Sequence, residues 1–229
     1  MTDSWLIFET SGRVGRVGIA VGGLVVAETV LDETRRHARD LAATSGRLLA
    51  ECGLTPRTVR GVMVSVGPGS FTGLRVGIMS AKAFAFATEC ELIAVPTFDA
   101  IANRTPAEFR EVDVIADALQ RHVYTQRFVY ESGKWKRVNE LRIATVEEWC
   151  ATFPLRLSVA VSGPALAVYE KDIPTEIARI DVSHRMPTME SMFLAGRTRQ
   201  PILRTELAAL EPIYLRGSSA EEKAKANHS

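Results

Sequence analysis

The chain has 229 residues, which is enough for one large domain or two small lobes. Its apolar fraction of 46% and charged fraction of 24% are ordinary for a globular protein, and its formal net charge is only +1. This charge argues against a protein that holds nucleic acid by general basicity, because phosphate binding needs concentrated Lys and Arg. Two basic clusters are interpreted as solvated faces, with a local basic patch as the alternative: Arg35, Arg36 and Arg39, and Lys134, Lys136 and Arg137.

The first half of the chain predicts a meander followed by alternating helices and strands. Strands are predicted at residues 5–8, 17–21, 24–31, 62–66 and 92–95, and a two-residue hairpin at Gly22-Gly23. Apolar residues at helical spacing predict a helix that starts at Asp32 or Thr34 and ends before Gly53. A second helix is predicted at residues 74–88, and a short third helix is predicted to start at Thr97 or Asp99.

The second half repeats this order with shorter elements. Strands are predicted at residues 112–117, 122–130, 135–143 and 157–161, and helices at residues 146–150 and 189–197. Two β-β-β-α-β-α units in tandem indicate an internal duplication in an α/β fold with mixed sheets. We therefore predict an N-terminal lobe at 1–105, a smaller C-terminal lobe at 106–216 and a disordered tail at 217–229, where the residues are small, polar and charged.

Cysteine usage and hydropathy predict a cytoplasmic protein without a membrane segment. Cys52, Cys90 and Cys150 are odd in number and form no Cys-x-x-Cys pair, which favours reduced structural thiols. Residues 1–4 lack the basic start of a signal peptide. The longest weakly charged stretch, residues 76–88, contains Lys82 and is too short to span a bilayer.

A glycine-rich loop at residues 67–73 lies between a predicted strand and a predicted helix, where a phosphate could bind. No Lys follows it, and its glycines miss the spacing of a P-loop. A dinucleotide motif would need Gly at the position of Thr72. The simpler interpretation is a tight turn with Ser70 or Thr72 as the helix cap.

Within this helix, small residues recur every four positions, at Gly73, Gly77, Ala81 and Ala85. A glycine inside a helix costs about 0.5–1 kcal/mol relative to alanine, so this ridge suggests the close approach of another backbone. The helix is apolar nearly all round, which indicates burial on more than one side. One side should face its own sheet and the other the first helix, a partner chain or both; a wholly intrachain core helix is the alternative.

The residues offer little support for a catalytic centre. The four histidines form no His-x-x-x-His pair, so no metal site is predicted, and Gly-x-Ser-x-Gly is absent. Thr10 and Ser11 end the first strand, and Asp117 ends the corresponding strand of the second half. Two such strand ends facing a cleft could hold nucleotide, although each is more often a turn cap.

Residues 67–77, with the sequence GPGSFTGLRVG, resemble the motif of the TsaB (YeaZ) family, the small actin-like partner subunit of the complex that makes threonylcarbamoyladenosine in tRNA. Supporting matches are Thr10-Ser11, His37, Val95-Pro96-Thr97, Ser162-Gly163-Pro164 and residues 212–216. The resemblance implies an actin/Hsp70-like two-lobed fold with a degenerate second lobe. It also implies a non-catalytic subunit that supports TsaD, which transfers threonylcarbamoyl to the adenosine next to the anticodon of tRNAs reading ANN codons.

The resemblance further implies pairing with TsaD, or with a second copy, through the first two helices of the first lobe. The residues assigned to that interface are His37, Leu41, Ser45, Leu48, Gly73, Leu74, Gly77, Ile78, Ala81 and Ala85. The ATPase TsaE would join the assembly and tRNA would be contacted only through the complex. The chain itself needs no cofactor, with ATP bound only in the assembled complex.

Two positions depart from the family pattern. The first strand usually ends in Asp-Thr-Ser and here ends in Glu9-Thr10-Ser11, while the second lobe usually has Asp-Ala-Arg and here has Asp117-Ala118-Leu119. Both lie where an actin-like protein would coordinate nucleotide. The alternatives are an autonomous ATPase or sugar kinase of this fold, suggested by Thr10, Ser11 and Asp117, and a peptidase, which the missing His-x-x-x-His opposes.

Overall fold

The computed structural model describes residues 3–31, 38–154, 158–213 and 215. The predicted helix start at Asp32 or Thr34, the candidate interface residue His37 and the predicted tail at 217–229 lie outside the described residues.

In the part of the chain that the structure describes, five strands form the first sheet: β1 (Ser4–Glu9), β2 (Arg16–Val21), β3 (Leu24–Val30), β4 (Gly61–Ser65) and β5 (Glu91–Val95). Their order across the sheet is β3-β2-β1-β4-β5, with β1, β2 and β3 antiparallel and β1, β4 and β5 parallel. Gly22 and Gly23 have φ angles of 58° and 89°, as a tight hairpin turn requires, so the predicted meander is confirmed.

The second sheet contains β6 (Glu111–Asp117), β7 (His122–Glu131), β8 (Lys134–Arg137), β9 (Arg142–Thr145), β10 (Val159–Ser162) and β11 (Ala178–Arg179). Its order is β11-β10-β6-β7-β8, which repeats the order of the first sheet, and β9 also pairs with β7. The repeat confirms the predicted duplication. The backbone after the corresponding strands is also similar: Gly67 follows β4 with a φ of 107°, and Gly163 follows β10 with a φ of 111°.

The single strand predicted at residues 135–143 is wrong, because the chain forms the two strands β8 and β9 there. Asn139 explains the interruption. Its side-chain Oδ1 accepts the backbone N–H of Arg127 on β7 at 2.8 Å, and its carbonyl accepts from Gln126 Nε2 at 2.9 Å. Between β8 and β9, these bonds replace the regular hydrogen-bond ladder with β7.

Within the described residues, six α-helices cover the sheets: α1 (Ala38–Glu51), α2 (Phe71–Thr88), α3 (Thr97–Ala102), α4 (Val146–Thr152), α5 (Leu166–Tyr169) and α6 (Met189–Gly196). Gly53, at φ 69°, follows the end of α1 as predicted. Ser70 caps α2 by accepting the Gly73 N–H at 3.3 Å. Thr145 and Glu148 form a capping box at the start of α4. The sequence reading did not predict α5 or β11. No helix in the described ranges has the length and hydropathy needed to cross a bilayer.

The two halves exchange a helix across the middle of the molecule. Helices α1 and α2 cover one face of the first sheet, and its other face is covered by α6 from the second half. In return, α3 from the first half packs on the second sheet, whose other face is covered by α4 and α5. Helices α3 and α6 also contact each other, so the two exchanged helices pack together between the sheets.

Candidate functional site

The start of α2 packs directly on the end of β1. Ser70 donates its backbone N–H to the Ser11 carbonyl at 2.7 Å. A Cβ at Gly69 would lie 2.5 Å from the Ser11 carbonyl oxygen, and one at Gly73 would lie 2.1 Å from the Thr10 carbonyl oxygen. The glycines of the loop and of the helix therefore serve the same purpose, which is close contact with the end of the first strand.

The small-residue ridge of α2 consequently faces inward. Gly77, Ala81 and Ala85 are all buried in the chain's own core, and Gly73 is half-buried. The remaining predicted interface residues of the described ranges are buried as well: Leu41, Ser45, Leu48, Leu74 and Ile78. These side chains fill the space between the helices and the first sheet, which leaves little of their surface for a second protein. Their assignment to a partner interface stays a prediction.

The outward faces of α1 and α2 carry a different set of residues. On α2 the side chains of Met79 and Phe86 are 60% and 69% exposed. On α1 the exposed positions include Ala42, Ala43 and Gly46. A Cβ at Gly46 would have no atom of this chain within 4 Å. Because both helices cover the same face of the first sheet, these residues point to the same side of the molecule; we call this set the α1–α2 face.

The polar end of β1 is closed by its own hydrogen bonds. The carboxylate of Glu9 is buried and accepts from the backbone N–H of Ser11 at 2.8 Å and from its hydroxyl at 2.5 Å. The Thr10 N–H donates to Ser65 Oγ at 3.0 Å. Desolvation raises the pKa of Glu9, although the bonds from Ser11 oppose this. Sequence reasoning noted Glu9-Thr10-Ser11 as a plausible polar site and Glu9 as a departure from the family pattern, but it missed Ser65, which ends the adjacent strand.

Asp117 ends β6 and is likewise engaged within its own lobe. Its Oδ1 accepts from the Tyr169 hydroxyl at 2.8 Å and from the Leu119 N–H at 2.9 Å. Burial, followed by this bond to Asp117, raises the pKa of Tyr169 to about 12. Nothing in the sequence pattern pointed to Tyr169, because it lies on the unpredicted helix α5. Thr10 and Ser11 thus contact the start of α2, whereas Asp117 contacts α5.

The loop after Asp117 has an uncommon backbone. Leu119, Gln120 and Arg121 have φ angles of 65°, 51° and 58°, although none is glycine. The Arg121 guanidinium holds the turn by pairing with Glu147 and Asp172. The backbone carbonyl of Arg121 also accepts the Val146 N–H at 3.0 Å. The departure at Leu119 therefore lies in a turn that distant residues of the second half stabilise.

No group of three or more His, Cys, Asp or Glu side chains suited to a metal ion occurs within residues 3–31, 38–154 and 158–213. The two histidines there make local contacts. His122 Nδ1 lies 2.8 Å from the Gln120 carbonyl, and His184 Nδ1 lies 2.9 Å from Ser183 Oγ.

Comparison with known proteins identifies the family. A sequence model of the family described as TsaD, tRNA N6-adenosine threonylcarbamoyltransferase, matches residues 25–209. The chain belongs to this family. The Bacillus subtilis tRNA threonylcarbamoyladenosine biosynthesis protein TsaB is 25% identical over 144 residues, which are 63% of this chain and 63% of that protein. An uncharacterized Mycobacterium tuberculosis protein is 36% identical over 119 residues, 52% of this chain and 53% of that protein. The aligned parts thus span between half and two thirds of the length of these relatives.

Solved structures agree with the fold. YeaZ from Pseudomonas aeruginosa superposes with a TM-score of 0.78 at 20% identity, covering 93% of this chain and all of that one. A second Pseudomonas aeruginosa structure, described as similar to the peptidase YeaZ, gives a TM-score of 0.79 at 22% identity and the same coverage. The TsaB (YeaZ) resemblance and the α/β fold of two repeated units, both predicted from the sequence, are confirmed.

Proposed function

We propose that the chain is a cytoplasmic, non-catalytic partner subunit in tRNA threonylcarbamoyladenosine biosynthesis, which pairs with a TsaD-like catalytic chain through the α1–α2 face. In this proposal a TsaE-like ATPase joins the pair, tRNA is contacted through the complex, and ATP is bound only by the assembled complex. A second copy of the chain occupies the same face when the TsaD-like chain is absent.

The observation that carries the proposal is Gly46. A glycine in the middle of a helix is destabilising, yet no atom of this chain approaches the position of its missing Cβ. The exposed alanines Ala42 and Ala43 lie beside it on the same helix, and Met79 and Phe86 project from the neighbouring one. A stretch of small residues beside bulky apolar side chains allows another pair of helices to approach closely.

The ends of β1 and β6 support the non-catalytic role. An ATPase of this fold would offer the polar groups of both strand ends to nucleotide. Here the Glu9 carboxylate is occupied by Ser11, and the Asp117 carboxylate accepts from Tyr169 and Leu119. ATP could bind at these strand ends only if the chain broke these internal hydrogen bonds. This cost argues against a catalytic role.

The test uses the full chain mixed with the TsaD-like protein of the same organism, with the complex measured by size-exclusion chromatography with light scattering. We expect a stable complex that Gly46→Leu abolishes, while the melting temperature of the variant stays at or above that of the wild type. Phe86→Asp should also abolish the complex, and Val182→Asp, at a position 70% exposed in the second half, should not. Retention of the complex by Gly46→Leu would remove α1 from the interface.

Calorimetry with ATP and Mg²⁺ on the isolated chain tests the non-catalytic part separately. Absence of binding is expected. Binding with turnover would instead establish the autonomous ATPase or kinase.

A further inference from the structure

The exchanged helix α6 is seated on the first sheet by a glycine near each of its ends. A Cβ at Gly18 of β2 would lie 2.6 Å from Met189 Cγ, at the start of the helix. A Cβ at Gly196, at the end of the helix, would lie 2.5 Å from Met63 Sδ of β4. The two glycines therefore allow helix and sheet to approach more closely than any other residue would permit. Because this contact is packed at both ends, α6 moves with the first sheet.

The other exchanged helix, α3, is fixed to the second sheet. Phe98 and Ile101 are fully buried in the core on that side, together with residues of β6, β7 and β10. Asp99 of the same helix accepts two hydrogen bonds from Arg137 of β8: Oδ1 from Nε and Oδ2 from Nη2, both at 2.8 Å. Such a paired contact holds the carboxylate and the guanidinium in one plane. Helix α3 therefore moves with the second sheet.

The Asp99 carboxylate is also bound from the α6 side of the joint. Arg199 follows α6 and donates its backbone N–H to the Gly196 carbonyl at 2.9 Å, so it moves with that helix. Its Nη1 donates to Asp99 Oδ2 at 2.9 Å. The Asp99 side chain is only 16% exposed, so water and salt screen these bonds less than they screen a surface pair. One carboxylate thus accepts from Arg137 of the second sheet and from Arg199 beside the first.

We infer that the Asp99 carboxylate fixes the two halves of the molecule to each other, so that they move as one rigid body. Domains that close around a ligand rotate about a hinge or slide packed helices past one another by about 1–2 Å. In this chain either motion would carry α3 past α6 and separate Arg199 from the carboxylate. The space between the ends of β1 and β6 is therefore held at one width. Arg137 contributes by keeping the carboxylate in the plane in which Arg199 binds it.

The experiment measures the distance between the two halves of the full chain by double electron–electron resonance. Spin labels are attached after Ala43→Cys on α1 and Ala151→Cys on α4, both at exposed positions, in a chain whose three native cysteines are replaced by alanine. A second pair, Ala43→Cys with Ala87→Cys on α2, gives the width of the distribution within one half. We expect the two distributions to be equally narrow, both with and without ATP and Mg²⁺.

Arg199→Ala should widen the distribution between the halves by about 2 Å or more, which is the scale on which packed helices slide. Asp99→Asn should also widen it, because a neutral amide accepts the two arginines more weakly than a carboxylate does. Neither variant should change the distribution within the first half. Arg197→Ala is the matched control, since Arg197 is an exposed arginine two positions from Arg199, and it should change neither distribution.

Melting temperatures of all variants separate a loosened joint from a loss of folding. A distribution between the halves that is broad, has two peaks or shifts with ATP before any joint residue is changed would overturn the rigid body. If Arg199→Ala and Asp99→Asn both match the Arg197→Ala control, Asp99 does not fix the halves and the inference is overturned. Because the chain is measured alone, neither result depends on whether it pairs with a TsaD-like protein.

Discussion

Gly77 on α2 and Thr10 at the end of β1 are so close that a Cβ on the glycine would lie 2.1 Å from the threonine Oγ1. No real Cβ contact is that short, so the helix can approach the strand only because position 77 has no side chain. The glycine that the sequence offered as a partner contact instead sets the distance between α2 and the first sheet.

Gly77→Ala should therefore destabilise the protein by about 2 kcal/mol, since an added methyl group in a packed interior forces backbone or side-chain shifts. Urea unfolding followed by circular dichroism measures this change.

Gly46→Ala is the matched control for the same substitution on the neighbouring helix. Its Cβ would meet open space, so the helix propensity of alanine should raise the free energy of unfolding by about 0.5–1 kcal/mol. Changes of the same sign at both positions would contradict the assignment of Gly77 as the inward glycine and Gly46 as the outward one.

Glu9→Gln should change the pH dependence of stability. Burial raises the pKa of Glu9 from 4.5 in the folded state. Between the two pKa values the folded chain keeps a proton that the unfolded chain releases, so the contribution of Glu9 to stability is present at low pH and is lost as pH rises through the folded pKa. Glutamine keeps an acceptor for Ser11 without ionising. The variant should gain more in melting temperature above neutral pH than near pH 4.5.

The control is Glu176→Gln, at an exposed position of the second half. It should shift the melting temperature equally at both pH values. An equal response from Glu9→Gln would show that the Glu9 carboxylate is not desolvated.

Asp113→Ala should be strongly destabilising, by about 3 kcal/mol, because it leaves a half-buried arginine without its partner. Asp113 is only 3% exposed and accepts from Arg127 Nε and Nη2 at 2.5 and 2.9 Å and from Trp149 Nε1 at 3.1 Å. Guanidinium chloride unfolding provides the measurement. Glu131→Ala, which breaks the exposed pair with Lys136, should cost less than about 1 kcal/mol. If both variants lose a comparable free energy of unfolding, the buried Asp113 network contributes no more to stability than the exposed pair.

Tyr169 should ionise near pH 12 in the folded protein, and Asp117→Asn should lower that pKa, because the carboxylate accepts the hydroxyl proton. Ultraviolet absorbance of tyrosinate follows the titration, and Tyr169→Phe identifies the transition. A pKa raised in the folded state means that the stability it contributes is complete below pH 10 and is lost as pH rises through about 12. If Asp117→Asn leaves the transition unchanged, the hydrogen bond to Asp117 does not contribute to the raised pKa of Tyr169.

Local patterns predicted the order of the elements well, because hydrophobic period, turn glycines and capping residues act over a few positions. Gly22-Gly23, Ser70 and Thr145 each act on groups within three residues of themselves. The split between β8 and β9 could not be predicted in this way, since it depends on Asn139 meeting the backbone of a strand 12 positions earlier.

The orientation of α2 was also beyond local reasoning. A ridge of small residues signals close approach but does not say to what. The three-dimensional placement of Thr10 beside Gly73 and Gly77 shows that the approached strand end belongs to the same chain. The glycine with an outward role, Gly46, also lies on a row of small residues at four-residue spacing, Ala42, Gly46 and Ala50, which the sequence reasoning did not single out.

The exchange of α3 and α6 has a consequence for synthesis of the protein. The first sheet is complete once β5 has emerged from the ribosome, yet the apolar side chains of its inner face, among them Trp5, Ile7 and Met63, are covered mainly by residues 189–196, with Ala100 of α3 beside them. A nascent chain therefore carries an uncovered sheet for about a hundred residues of translation, while folding proceeds from the N-terminus. Chains that stop before Met189 should be captured by chaperones or aggregate, even though they contain every strand of both sheets.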